Sequence, residues 1–314
     1  MENARSNKEP LNIIQSMVDF IMSWNVSNIY ENIRNNPVLE FEKQIMKKDK
    51  KTGELKTFYF YSYKSLKFVI VGNRIIFKGS LHEYFNGGKN NNDFTRCQII
   101  EVLNDLWIKF GINLHMAQLN NLEIAVNINY PPKKFIESIL DYKGENVTIT
   151  NNDFLYSESK RRTEKGTEKN YYMKAYDKDG QLRVEVHFNK MAAVKMKGIK
   201  TFADLTTPEN FRILGEILLD YFDNYLTFDN TLLVNKLKSH ESEIITNWKD
   251  YLFGGELRKI NPEKYKKRRA RFKGLIQANK QNTIQNEVRK LIKEKISVLC
   301  EQENFFPELI ACRK

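Results

Sequence analysis

The sequence predicts an α+β fold: an antiparallel sheet backed by helices, followed by an all-helical C-terminal extension. Three observations predict it. Between residues 56 and 79 apolar side chains recur at every second position, and the same period returns in 122–129 and 171–188. Between these stretches, Ile99, Ile100, Leu103, Leu106, Trp107 and Phe110 mark one apolar helix face. From Thr207 onward the spacing is helical to the end of the chain. The boundary implied is near residue 200, with residues 1–54 as a helical lead-in.

Taken in order, Leu11, Ile14, Met17, Val18 and Ile21 recur at helical spacing and predict a helix over 10–24. "KTFYFYSY", "KSLKFVIVG" and "NRIIFKG" predict three short strands, with Gly72-Asn73 as a tight turn. "NGGKNNNDFT" is a loop whose Asp93 or Thr95 caps the next helix, and Gly111 ends that helix. "NLEIAVNINYPP" is a strand stopped by Pro131 and Pro132. A helix over 133–142 and two short strands near 146–149 and 153–157 follow. Residues 157–170, "SESKRRTEKGTEKN", lack any large apolar side chain and predict an exposed basic loop that includes Lys160, Arg161 and Arg162. "YYMKAYDKDGQLRVEVHF" then reads as a hairpin turning at "DKDG". Thr207-Pro208-Glu209 combines a cap, a proline at the first helical position and an acid in the first turn. The buried stripe of that helix is Phe211, Leu214, Leu218, Phe222 and Tyr225. Each half of the strand-rich region supplies strands, a helix and a strand with a polar outer face, a loose internal symmetry.

Charge narrows the partners. A net charge of +12 favours a polyanion, because lysines and arginines that neutralise phosphates release counterions. No stretch reaches the roughly 18 apolar residues of a membrane span. The first residues, "MENARSNKEPLN", carry no apolar signal core, and Cys97, Cys300 and Cys312 form no metal-type pair. A cytoplasmic protein with reduced thiols and no membrane partner is expected. "RKINPEKYKKRRARFK" (258–273) would form a helix positive on nearly every side, anchored by Tyr265 and Phe272. Lys264, Lys266, Lys267, Arg268, Arg269, Arg271 and Lys273 are its candidate phosphate contacts. His82, two residues before Tyr84, is a further candidate for DNA contact.

The strands at 122–129, 171–178 and 182–188 share a pattern: one face apolar, the other reactive. Period two places Tyr172, Lys174, Tyr176 and Lys178 on one side of the first hairpin strand. Arg183, Glu185 and His187 share a side of its partner, and Glu123 stands on the polar side of the earlier strand. Neighbouring strands would make these groups converge. Glu185 and His187 are spaced to grip one cation, with Glu123 as a third ligand. Carboxylate oxygens plus one imidazole suit Mg²⁺ or Mn²⁺ rather than structural zinc. Tyr176 is a candidate nucleophile whose phenolate Lys174 or Lys178 would favour, and Tyr172 is its rival. The same residues would also serve as an ion-pairing sheet face without catalysis.

"FKGSLHEYFNGGKNNNDF", "LNNLEIAVNINYP" and "YYMKAYDKDGQLRVEVHFNK", followed by "GIKTFADL", resemble in order and spacing the phage and plasmid replication proteins of the filamentous-phage gene II/X family. These are akin to plasmid rolling-circle initiators, and the resemblance spans roughly residues 55–230. It implies a nicking-endonuclease domain that cuts one strand of an origin with a divalent cation and becomes joined to the 5′ phosphate through tyrosine. The freed 3′ hydroxyl would prime synthesis by the host polymerase and helicase in a bacterial cell. The "YDK" segment maps the nucleophile onto Tyr176, beside Asp177 and Lys178. The acid of the "LEIAVN" strand maps onto Glu123, and an Arg-x-Glu pair onto Arg183 and Glu185, with Lys174 beside them. The His-hydrophobic-His metal pair of better-known nicking enzymes is absent from this sequence, so Glu123, Glu185 and His187 stand in its place. The alternatives are an origin-binding protein without catalysis, or a nicking enzyme of transposition or mobilisation.

Overall fold

In the computed structural model, residues 18–26, 33–90, 92, 94–143, 147–150, 156–160, 170–228, 237–249, 251–278 and 284–301 are described. Their centre is an antiparallel sheet of ten strands: β1 (Val18–Val26), β2 (Glu40–Lys48), β3 (Leu55–Tyr63), β4 (Leu66–Val71), β5 (Arg74–Ser80), β6 (Gln118–Ile128), β8 (Thr148–Thr150), β9 (Tyr156–Lys160), β10 (Tyr171–Lys178) and β11 (Gln181–Phe188). Their spatial order is β2-β3-β4-β5-β1-β6-β11-β10-β9-β8. The expected symmetry is visible in that order. β1 and β6 pair at the middle, and each is flanked by the last strand of a four-strand meander, β5 on one side and β11 on the other.

The apolar face of the sheet is covered by helices. α1 (Leu81–Phe85) and α2 (Arg96–Phe110) follow the first meander, and α3 (Pro132–Glu137), α4 (Ala192–Lys195) and α5 (Pro208–Phe222) belong to the second half. Leu122, Ile124, Val126 and Ile128 of β6 meet Val184 and Val186 of β11 and the helix residues Phe135, Phe211 and Leu218 in one buried cluster. Three expected helix caps are present. Thr95 makes a capping box with Gln98, Gly111 closes α2 in the left-handed conformation, and Thr207 accepts from the Asn210 backbone. At the hairpin tip Asp179 and Gly180 have φ of 52° and 84°, the pair a type I′ turn requires. Asp177 Oδ1 accepts from the Gly180 N–H at 2.7 Å and braces the turn.

Several expectations are corrected. The lead-in is mostly strand where it is described, and helical only at residues 33 and 34. Residues 18–26 are the central strand β1 and 40–48 the edge strand β2, while 10–17 lie outside the described residues. In "VDFIMSWNV" Val18, Phe20, Met22, Trp24 and Val26 alternate with Asp19, Ile21, Ser23 and Asn25, a strand period that the helical spacing read over 10–24 overlaps and masks. β2 is polar on both sides and carries lysines, as exposed edges do. The helix expected over 133–142 ends at Glu137 and gives way to strand β7 (Ile139–Tyr142). β7 pairs with β12 (Tyr225–Thr227), so the C-terminal region is not all helical and Tyr225 lies beyond the end of α5. Of the loop expected over 157–170, residues 157–160 belong to β9, and Arg161 and Arg162 lie outside the described residues.

The rest of the C-terminal region consists of α6 (Ser239–Lys249), α7 (Tyr251–Ile260), α8 (Pro262–Ala278) and α9 (Ile284–Glu301). Val288, Ile292 and Leu299 of α9 return to the main core beside α5. Helices α6, α7 and α8 instead build a small core of their own around Ile245, Trp248, Tyr265 and Phe272. Among the described residues no helix is long and apolar enough to cross a membrane.

Candidate functional site

The face of β6, β11 and β10 opposite the helices carries the reactive side chains, and it is buried at Asn127, Arg183 and Glu185. Register sets their order: Tyr172 pairs with His187, Lys174 with Glu185 and Tyr176 with Arg183. On the other side of β11, His187 pairs with Glu123, Glu185 with Ala125 and Arg183 with Asn127. All of these groups therefore point the same way, as the period of two requires. Lys160 is the register partner of Tyr172 on β9, and Lys178 closes the row at the hairpin end.

Glu185 is the hub. Its carboxylate is 1% exposed and accepts from Lys174 Nζ, from Arg183 Nε at 3.0 Å and from the Tyr176 hydroxyl at 3.0 Å. Burial opposes its ionisation, but Arg183 and Lys174 outweigh burial and hold the carboxyl down to about 2. Burial likewise opposes the Lys174 ammonium, yet Glu185 and Glu123 keep it charged and its pKa above the usual lysine range. Arg183 has no exposed surface, and its Nη1 donates to Asn127 Oδ1 at 3.1 Å. Asn127 is equally buried, and its Nδ2 has no hydrogen-bond partner among the described residues. No sequence pattern singled out Asn127, which only its register opposite Arg183 brings into the site.

Tyr176 corrects one expectation. Its pKa is raised, first by burial and then by the charge of Glu185, against the pull of Arg183. The lysines do not yield a phenolate here, because the nearer charge is a carboxylate. The phenol instead keeps its proton and points it at Glu185. Tyr172 is placed differently. Its ring stacks on His187 with centroids 4.6 Å apart and planes 7° from parallel, and Lys174 Nζ lies 4.9 Å from the centroid of the same Tyr172 ring.

The three expected metal ligands lie together, but a lysine stands among them. Glu123 Oε2 is 3.1 Å from His187 Nδ1 and 3.7 Å from Lys174 Nζ, while that same ammonium bonds to Glu185. No group of three or more metal-binding side chains is drawn together around a cation position among the described residues. The donor chemistry does fit a hard divalent ion. A neutral His187 offers one ring nitrogen, and Glu123 and Glu185 offer carboxylate oxygens, the donor set such an ion takes. Such an ion would take the place between carboxylates that Lys174 now fills.

The remaining candidates are dispersed. His82 is completely buried, stacked on Phe94 at 4.9 Å and bonded through Nε2 to Asn92 Oδ1 at 2.7 Å. As placed it packs the loop after β5 and does not meet the solvent. On α8, Lys264, Lys266, Lys267 and Arg271 are exposed, whereas Arg268 and Lys273 are half-buried. Arg268 lies over the Phe253 ring at 5.9 Å. Arg269 faces inward and grips Asp141 of β7, with Nη2 at 2.6 Å from Oδ1 and Nε at 3.0 Å from Oδ2. Tyr265 and Phe272 are buried beside it, as expected of anchors.

Compared with known proteins, the chain matches no family model and no curated protein.

Proposed function

We propose that this chain is a DNA-nicking and joining enzyme in which Tyr176 is the nucleophile, and that it starts rolling-circle replication at an origin. The observation that carries the reading is the 3.0 Å hydrogen bond from Tyr176 to Glu185. It is the nucleophile–base contact expected of covalent catalysis, and the base is oriented in turn by Arg183 and Lys174. As the Tyr176 oxygen bonds to phosphorus, its proton passes to Glu185. The phosphorus–O3′ bond breaks, and the 3′ oxygen takes a proton from solvent. One phosphodiester replaces another, so the reverse attack rejoins the strand without a nucleotide cofactor.

Each neighbour has a part in that step. Lys178 is a donor for the phosphoryl oxygens, and Lys174 supplies positive charge beside them. Glu123, His187 and Glu185 would hold Mg²⁺ or Mn²⁺, which supplies Lewis-acid stabilisation of the charge that develops on phosphate. The exposed cations of α8 would hold duplex DNA without reading its sequence. The origin, the rolling-circle role and the host replication partners rest on the resemblance to the gene II/X replication proteins.

A second reading is a DNA-binding protein without catalysis. The observation favouring it is that Glu123 and Glu185 already have basic partners, as in a purely structural network. One experiment separates them. Incubation with supercoiled DNA or a single-stranded library in Mn²⁺ or Mg²⁺, followed by peptide mapping, should find DNA joined to the Tyr176 peptide. Tyr176→Phe should lose the adduct and retain binding. Tight binding with no adduct in either metal would leave only the second reading.

A further inference from the structure

The sheet face opposite the helices does not stop at the site. It continues across β1 onto the first meander, where its chemistry changes from buried, paired acids to exposed lysines among aromatic rings. Register traces the continuity: Asn121, two residues before Glu123, pairs with Met22, then with Lys78, Lys67 and Ser62 in turn. The adjoining row runs from Ile76 through Val69 and Phe60 to Lys43. The helix-covered face takes the alternate residues Phe77, Phe68 and Tyr61, which are buried in the core. Phe58 and Phe60 are half-buried on the open side, and Lys43, Lys47, Lys67 and Lys78 around them are exposed.

The lysines are not arranged as a salt-bridge lattice. Lys43 Nζ lies 5.4 Å over the Phe60 ring and Lys47 Nζ 5.7 Å over the Phe58 ring. Lys67 has only a 3.7 Å exposed contact with Glu42, a pair of little energetic weight. Among the described residues Lys43, Lys47 and Lys78 have no acidic partner. Solubility alone does not call for rings two residues apart on an open sheet, each with an ammonium above it.

We infer that this half of the sheet is a platform for single-stranded DNA, which delivers the scissile strand to Tyr176; the inference rests on the nicking reading above. Three features fit that occupant. The charge is complementary to phosphate. Phe58 and Phe60 stand about 7 Å apart along one strand, and rings on a positively charged surface are what unpaired bases stack on. Duplex DNA would offer its phosphates but no base faces. Finally, Lys78 is two strands, about 10 Å, from Asn121 at the edge of the site, so a bound strand can pass from platform to site on one surface.

The test is fluorescence anisotropy with a labelled 20-nucleotide single strand and the same sequence as duplex, using full-length protein with Tyr176→Phe to prevent cleavage. Phe60→Leu keeps apolar bulk but removes the ring's flat face, and Phe58→Leu does the same beside it. Together they should weaken single-strand binding roughly five- to a hundred-fold while duplex binding changes less than two-fold. Lys43→Gln and Lys78→Gln should each reduce the single-strand salt slope by about 0.7. Unchanged single-strand affinity in variants that melt like the parent overturns the platform. So does an equal loss on duplex, which would mark a general cationic patch. If Tyr176 forms its adduct normally in the platform variants with unchanged affinity, the platform fails and nicking stands. If the platform variants lose binding but wild type forms no adduct, nicking fails and the platform stands as a binding surface.

Discussion

The Tyr176 hydroxyl and the Glu185 carboxylate share a hydrogen bond of 3.0 Å, and Glu185 is held ionised by Lys174 and Arg183. This places the phenol's proton on the path to a ready acceptor rather than lowering the phenol's own pKa. Glu185→Gln keeps the shape and removes the acceptor. The rate of adduct formation should fall about 10²- to 10⁴-fold, with DNA affinity within two-fold of wild type. A rate within three-fold of wild type would remove Glu185 from the chemistry.

The same carboxyl makes stability depend on acid. Its folded value of about 2 lies below its ordinary value of 4.5. A depressed carboxyl contributes stability that is fully present above its unfolded value and is lost as pH falls through the folded one. Urea midpoints should therefore drop between pH 4.5 and 2 more steeply in wild type than in Glu185→Gln. Parallel curves would show that Glu185 is not held down in the folded protein.

Arg183 has no exposed surface and holds Glu185 and Asn127 at once. Arg183→Lys retains charge but loses the planar fork that makes both contacts. Breaking a buried pair of this kind costs about 3–5 kcal/mol. The melting temperature should fall by many degrees in Arg183→Met, and Arg183→Lys should not recover it. A shift of under two degrees would mean that water or another group readily replaces the guanidinium.

Much of the site was legible because strand alternation is strict. Once 122–129, 171–178 and 182–188 are strands, Glu123, Tyr176, Glu185 and His187 must share a face if the strands are neighbours, and they are. What was not legible is how deep that face lies. The sign of the Tyr176 shift depends on burial and on Glu185 being nearer than any free ammonium, which spacing along one strand does not reveal. β1 was misread for a different reason: its alternation of Val18, Phe20, Met22, Trp24 and Val26 begins inside the helical spacing of Leu11, Ile14, Met17, Val18 and Ile21, which masks it. Arg269 looked like its neighbours because its partner, Asp141, is 128 residues away.

Arg269 and its neighbours on α8 should accordingly behave differently. Replacing exposed Lys264, Lys267 and Arg271 with Gln should leave melting within a degree or two, as is usual for surface changes. Each replacement should reduce the salt slope of duplex binding by about 0.9 if its side chain contacts phosphate. Arg269→Ala strips the Asp141 carboxylate of its bidentate partner and should lower thermal stability. Asp141→Asn should do the same although it adds no negative charge to the DNA-facing side. If Arg269→Ala changed only DNA affinity, the internal pair would not be its main role.

The position of Lys174 between two carboxylates bears on the metal. Its ammonium bonds to Glu185 and lies 3.7 Å from Glu123 Oε2, so a divalent ion bound by Glu123, His187 and Glu185 must displace it. Lys174→Met removes the competing charge and keeps the apolar stem. Mn²⁺ affinity, measured by electron paramagnetic resonance of free Mn²⁺, should then rise about ten-fold or more, equivalent to roughly 1.4 kcal/mol. Adding Glu123→Gln should reverse the gain, because it takes away a carboxylate ligand. Chelation should abolish adduct formation by wild type and leave single-strand binding intact. Mn²⁺ affinity that is unchanged or lower in Lys174→Met would place the ion away from this triad and assign Lys174 a supporting role in it.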